Sequence, residues 1–214
     1  QATQMSLTGS GLLDTDDVVL ADIRDVGTLR IVFETTRPDV VFHAAALKHL
    51  PLLEAYPLEA WKSNVLGTLN VLTAAADVGV GTFVNISTDK AANPTCVLGY
   101  SKRMAERLTA DFAASQPGRY VSVRFGNVLG SRGSVVPVFQ GQYERDGRVT
   151  ITDERMTRFW ITLPQALHRV LHALANMQAG AVFVARIPHL PVVALARTTA
   201  PALPPPPLRP PPGP

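Results

Sequence analysis

VNISTDKAANPTCVLGYSKRM, residues 84–104, is the stretch that decides the fold. An apolar run, Phe83-Val84-Asn85-Ile86, ends in the small polar cluster Ser87-Thr88-Asp89-Lys90. A loop with Asn93 and Pro94 follows, and an amphipathic helix opens near Val97 and carries Lys102. Buried strand, polar tip, loop and helix in this order are how open α/β sheets build sites, because the carboxyl end of the strand delivers side chains into the ligand crevice. Two lysines, an aspartate and two hydroxyls meeting there point to chemistry. The alternative is a surface ion pair at a strand end, which is common and contributes little.

Outward from this stretch the alternation continues. Towards the N-terminus, Asp17–Asp22 reads as a buried strand, and Asp25–Thr36 as a helix with Asp25 as N-cap. Val40–His43 reads as a strand running into Ala44-Ala45-Ala46, followed by a short helix at 49–55. Pro57 opens a long helix reaching Val78, with Gly79 beyond it. Towards the C-terminus come a helix over 97–115, a strand over 120–125, the loop Gly126–Gly133 and a helix over 134–145. A strand at 148–151, a helix at 163–177 and a strand at 181–184 complete the pattern. Strands alternating with helices of this length predict a doubly wound, mainly parallel sheet covered on both faces. The predicted domain spans 17–188. Residues 1–16 are weakly patterned, and 189–214 read as a tail, proline-rich from Pro201 and expected to be extended and mobile.

Composition narrows the function classes. With 214 residues, 46% hydrophobic and 17% charged, the chain has enough apolar mass for one sizeable globular domain. Lys and Arg (20) exceed Asp and Glu (17) by three and form no dense block, so no nucleic-acid footprint is expected. The single cysteine, Cys96, excludes an internal disulfide and fits a reducing compartment. No apolar run reaches the roughly 18 residues of a spanning helix, and no secretory leader opens the chain, so a soluble cytoplasmic protein is expected.

Several residues stand out, each with a plainer alternative. Asp22-Ile23-Arg24 at a strand end can address an adenine and ribose, or can simply open a helix. Ala44-Ala45-Ala46 leaves room for close backbone approach, or for tight packing. Asn64, a poor helix former, is expected to bond backbone and hold the sheet together. Asn127, between glycines, offers donors and acceptors to a ligand. Arg155 and Arg158 beside aromatics suit a diphosphate, or form a turn before a core strand. A dinucleotide-binding sheet begins with a strand, a glycine-rich turn and a helix. Here the only glycines before Asp22 are Gly9 and Gly11, which precede the strand. The sheet is therefore expected to lack its first β-α unit.

Six segments occur in order: FHAAALKHLPLLE, NVLGTLNV, STDKAANPT, the lysine at 102, RFGNVLGSRGSVVP and ITDERMTRFWITL. Together, from about Asp17 to Pro188, they resemble the polysaccharide-biosynthesis branch of the extended short-chain dehydrogenase/reductases, and most nearly the inverting UDP-N-acetylglucosamine 4,6-dehydratases. The resemblance implies a Rossmann-like fold, NADP as cofactor, a UDP-sugar substrate, and a homo-oligomer or association with an intact homologue. It implies Lys90 as the base at sugar C5, Asp89 as the acid for the 6-hydroxyl and Thr88 at the 4-oxygen. Lys102 would hold the nicotinamide ribose, with Asp22, Ile23, Ala44, Lys48, Ser87 and Val128 lining the cofactor. Asn127, Val135, Arg155 and Arg158 would contact substrate. Two departures bear on activity. Four residues before Lys102 stands Leu98, where the superfamily has tyrosine and part of this branch methionine, and leucine can neither take nor give a proton. Tyr100 is turned about 200° away on the helix. The second departure is the missing glycine-rich turn. A C4 epimerase and a non-catalytic sugar-nucleotide-binding relic are the alternatives.

Overall fold

The computed structural model describes residues 18–131, 134–176 and 178–199. The first elements in chain order are α1 (Val26–Thr36), β1 (Val40–His43), α2 (Leu50–Ala55) and α3 (Pro57–Ala60). A π-helical segment (Trp61–Leu66) leads into α4 (Gly67–Asp77), β2 (Thr82–Thr88), a 3-10 turn (Asp89–Ala91) and α5 (Val97–Ser115). Then come β3 (Arg119–Phe125), β4 (Asn127–Val128), α6 (Val135–Asp146) and β5 (Thr157–Ile161). The last are α7 (Leu163–Asn176), β6 (Val182–Val184), β7 (His189–Pro191) and α8 (Val192–Thr199).

Four strands form one sheet in the order β1-β2-β3-β6, with every neighbouring pair parallel. Because side chains alternate along a strand, the two faces of this sheet carry separate cores. On one face Phe83 and Tyr120 stack and pack with Leu29 and Phe33 of α1 and with Val71, Leu72, Ala74 and Ala75 of α4. On the other face Val84, Val121 and Val123 lie under Ala166 and Ala173 of α7. Helices on both faces of a parallel sheet make the α/β, doubly wound class that the alternation predicts. A second, three-stranded sheet, β4-β5-β7, continues from the carboxyl end of β3. It shelters a third cluster, in which Phe139, Trp160 and Val192 meet Val149 and Ile151.

Asp25 caps α1 as expected, its Oδ1 accepting from the Thr28 amide at 3.1 Å. Three expectations are corrected. Residues 18–22 form no strand, and Val18, Val19 and Leu20 are exposed. A β-branched run has strand propensity, but a ladder needs a neighbour, and none of the described strands pairs with it. Residues 148–151 alternate exposed and buried as a strand would, yet they pack as irregular backbone. Thr150 gives its amide to the Gln142 side chain at 3.0 Å instead of to a strand. The segment from 189 is not tail throughout, since β7 and α8 occupy 189–199 and bury Val192 and Ala196. The proline-rich stretch from Pro201, like residues 1–16, lies outside the described residues.

Candidate functional site

Parallel strands end on one side of their sheet, so the segments after β1, β2 and β3 share its carboxyl edge. That edge collects most residues singled out in the sequence. Thr88 closes β2, and the 3-10 turn presents Asp89 and Lys90. The Thr88 hydroxyl donates to Asp89 Oδ1 at 2.8 Å, and Lys90 Nζ donates to the same oxygen at 3.1 Å. Lys90 Nζ also reaches Asn127 Oδ1 at 3.4 Å, so β4 joins the cluster. The Asp89 and Lys90 side chains keep about a quarter of their surface exposed, which leaves them reachable by a ligand. A hydroxyl, a carboxylate and an ammonium within hydrogen-bonding reach of one another can move protons at adjacent atoms of a bound molecule.

Helix α5 holds this turn from below with residues at helical spacing. Gly99 lies against the Lys90 carbonyl so closely that an added Cβ would sit 2.6 Å from that oxygen. Lys102 Nζ donates to the Ile86 carbonyl at 2.8 Å, and Arg103 Nη1 donates to the Ala91 carbonyl at 3.0 Å. Lys102 is buried, and burial pulls its pKa down to about 8, with Glu106 opposing the shift. Leu98 is buried with Leu53 and Ala60, whereas Tyr100 is exposed. The tyrosine thus faces away from the site, as its helical position predicts.

A cavity of about 560 Å³ opens beside the loop after β1, lined by Ala21–Arg24, Ala45–Leu47, Glu59 and Ser63. Arg24 binds the Asp22 carboxylate at 2.9 Å and Glu59 at 3.2 Å, and its hydrogen bond to Asp22 lowers that carboxyl's pKa. The Ile23 carbonyl accepts from Asn70 Nδ2 at 3.0 Å, which ties this wall to α4. Asn64 fulfils its supportive expectation. Its Oδ1 accepts from the Leu47 amide at 2.8 Å, and its Nδ2 donates to the Leu47 carbonyl at 2.9 Å and to Ser101 Oγ at 3.0 Å. The loop carrying Ala44 to Lys48 is thereby fixed to the π-helical segment and to α5.

Other residues singled out in the sequence make different contacts. Arg155 pairs with Asp153 at 2.9 Å, and Arg158 Nη1 donates to the Thr157 carbonyl at 2.8 Å. Among the described residues neither arginine is hydrogen-bonded to Asp89 or Lys90. Val128 and Val135 are partly buried against the second and third cores. Gly126 serves packing, since a Cβ there would meet the Phe159 carbonyl at 2.5 Å. The sequence reading missed Glu106 and its pairing with Arg124, which places the two beneath Ser87. Arg124 Nε and Nη2 each donate to the carboxylate at 2.7 Å, and the Ser87 hydroxyl donates to Glu106 Oε1 at 2.6 Å. Their signal was available as an acid four residues after Lys102, on the same helix face.

Comparison with known proteins bears on ancestry. Residues 2–203 match the polysaccharide biosynthesis protein family. The chain belongs to that family. The probable polysaccharide biosynthesis protein EpsC of Bacillus subtilis is 46% identical over 165 residues, covering 77% of this chain and 28% of EpsC. An inverting UDP-N-acetylglucosamine 4,6-dehydratase of Campylobacter jejuni is 38% identical over 188 residues, covering 86% of this chain and 56% of that protein. A UDP-glucose 4-epimerase of Rickettsia canadensis is 42% identical over 162 residues, covering 74% of this chain and 48% of the epimerase. Among solved structures, Pen from Bacillus thuringiensis superposes with a TM-score of 0.80 at 36% identity, covering 85% of this chain and 56% of Pen. This member of the polysaccharide biosynthesis protein family therefore spans between 28% and 56% of the length of these relatives. Its sheet has the Rossmann-type fold of its solved neighbours.

Proposed function

We propose that the chain carries the elimination site of a nucleotide-sugar 4,6-dehydratase acting on UDP-N-acetylglucosamine through a transient 4-ketone. The observation carrying this reading is the Thr88–Asp89–Lys90 cluster at the end of β2, with Asn127 bonded to its lysine. Removing an acidic C–H and protonating a departing hydroxyl require a base and an acid on adjacent sugar atoms. In this reading Lys90 takes the C5 hydrogen, Asp89 protonates the 6-hydroxyl, and Thr88 bonds the 4-oxygen. Asn127, Val135, Arg155 and Arg158 contact the sugar nucleotide.

The residues present fit part of a nicotinamide dinucleotide. The bare Ala45 and Ala46 beside the Asp22 carboxylate suit the adenosine end, and the Lys102 ammonium beside the carboxyl end of β2 suits the nicotinamide ribose. Asp22, Ile23, Ala44, Lys48, Ser87 and Val128 would line the rest. Such a cofactor, NADP(+) by family resemblance, would supply hydride acceptance at C4 and hydride return at C6. Leu98 supplies no acceptor for the C4 hydroxyl proton, so turnover is expected to be weak. That observation favours a second reading, a sugar-nucleotide-binding protein without catalysis. Identity to epimerases supports a third, which would leave Asp89 and Lys90 without a task.

Calorimetry with NADP(+) and UDP-N-acetylglucosamine, followed by a product assay in D2O, tests the reading. Deuterium at C5 of a 6-deoxy-4-keto product, lost in Lys90→Ala, is the expected result. Binding of the sugar nucleotide without product selects the second reading, and conversion at C4 alone selects the epimerase. Binding of neither ligand removes all three.

A further inference from the structure

Glu106 is almost fully buried, and Arg124 keeps 13% of its side chain exposed. The mechanism above uses neither. A buried charge pair is a weak contributor to stability, because desolvating both ions offsets most of their attraction, so the place of this pair needs another reason. Its contacts supply one. Glu106 accepts the Ser87 hydroxyl at 2.6 Å, immediately before Thr88, and Arg124 Nη2 lies 3.5 Å from the Ala91 carbonyl, immediately after Lys90. The pair thus grips both ends of the segment Thr88-Asp89-Lys90. It also ties three elements together, since Ser87 is on β2, Glu106 on α5 and Arg124 on β3. Gly99, Lys102, Arg103 and Glu106 recur at the spacing of one helix face, and each contacts residues 86–92.

We propose that Glu106 and Arg124 act as positioning residues that set where the Asp89 and Lys90 side chains stand at the sheet edge. This rests on the elimination-site reading of Asp89 and Lys90. The guanidinium fork fixes the carboxylate in its plane by two parallel bonds, a geometry that an ammonium or an amide cannot reproduce. The carboxylate in turn fixes the end of β2, and the turn that follows has little freedom left. Without the pair, Asp89 and Lys90 keep their chemistry but lose their placement. A misplacement on the order of 1 Å costs about 100-fold in rate.

The test compares the wild-type chain with Glu106→Gln and with the double variant E106Q/R124M. The double variant removes both ions of the pair but also takes from the buried Lys102 the Glu106 charge that holds its pKa up, so its melting temperature is compared with wild type before labelling is read. Competitive labelling of lysines with acetic anhydride, read by mass spectrometry, reports the surroundings of Lys90 without needing turnover or cofactor. Lys90 labelling is expected to rise several-fold in the double variant, with labelling of Lys62 unchanged as an internal reference. If the product assay gives turnover, kcat is expected to fall about 100-fold with KM little changed. Lys90 labelling equal to wild type in a folded double variant overturns the proposal. Should Glu106→Gln fail to fold, the double variant decides alone. A wild-type chain that makes no product while the double variant shows altered labelling would remove the elimination reading and leave the positioning role standing.

Discussion

His43 shows at the scale of one residue how the fold sets a charge. It ends β1 with its ring buried, and Nε2 lies 2.9 Å from Thr68 Oγ1. Burial, and then the nearby Lys102 charge, hold its pKa at about 4, below the ordinary 6.5. As pH falls below 6.5, the unfolded chain binds a proton at this site and the folded chain does not until about pH 4. The stability associated with neutral His43 is therefore complete above pH 6.5 and is lost between 6.5 and 4. That interval corresponds to about 3 kcal/mol. Urea unfolding at pH 7 and pH 4 is expected to show wild type losing about 3 kcal/mol more than His43→Gln. Equal losses would mean that the imidazole is not held neutral by the fold. A second residue, Asn64, makes two hydrogen bonds to Leu47 that pin the loop after β1 and a third to Ser101 on α5. Asn64→Ala leaves the Leu47 amide and carbonyl without these partners and is expected to cost about 1 to 3 kcal/mol, read as a lowered urea midpoint.

Helix α5 carries the argument at the scale of elements. Replacing a helical glycine by alanine stabilises by about 0.5–1 kcal/mol where there is space, but Gly99 has none. An added Cβ would meet the Lys90 carbonyl at 2.6 Å, and backbone must move. Overpacking of this kind costs about 1–3 kcal/mol and outweighs the propensity gain. Gly141 in α6 has nothing within 4 Å of the same built Cβ. Gly99→Ala is expected to destabilise and Gly141→Ala to stabilise, and the two signs are read from urea midpoints in one series. If both substitutions stabilise, the close approach of α5 to the 3-10 turn is wrong. The same helix shows what was legible in advance. Its bounds, its lysine and the outward turn of Tyr100 follow from spacing of 3.6 residues per turn. The strand-to-helix passage around Thr88 follows from composition. Glu106 and Arg124 did not stand out because their pairing crosses 18 residues of sequence, and only the sheet register brings β3 beside β2. Residues 18–22 and 148–151 misled for the opposite reason, since local pattern suggested ladders for which the described residues supply no partner.

At the scale of the molecule, the described residues build two sheets joined through β5. Along that strand, adjacent side chains point to opposite sides, so Ile161 enters the core under α7 while Trp160 enters the third cluster. The third cluster was not legible as a unit in the sequence, because its residues come from α6, α8, β5 and the irregular segment with Val149 and Ile151. No one of these shows from its own period that it packs against the others. Its closing piece is the segment after Pro188. The Val192 amide donates to the Met156 carbonyl at 2.9 Å, and the Val192 side chain is buried among Trp160 and its neighbours. A carboxylate at this position would have no charged partner in an apolar cluster, and the segment would have to swing out to hydrate it. The four-stranded sheet has its own two cores and needs nothing from α8. In a Trp61→Phe background, which leaves Trp160 as the only tryptophan, Val192→Asp is expected to shift the emission to longer wavelength while the far-ultraviolet circular dichroism of the main sheet and helices persists. An unshifted emission would mean that Trp160 is covered without α8. Loss of all secondary structure would mean that β5 makes the two sheets one cooperative unit.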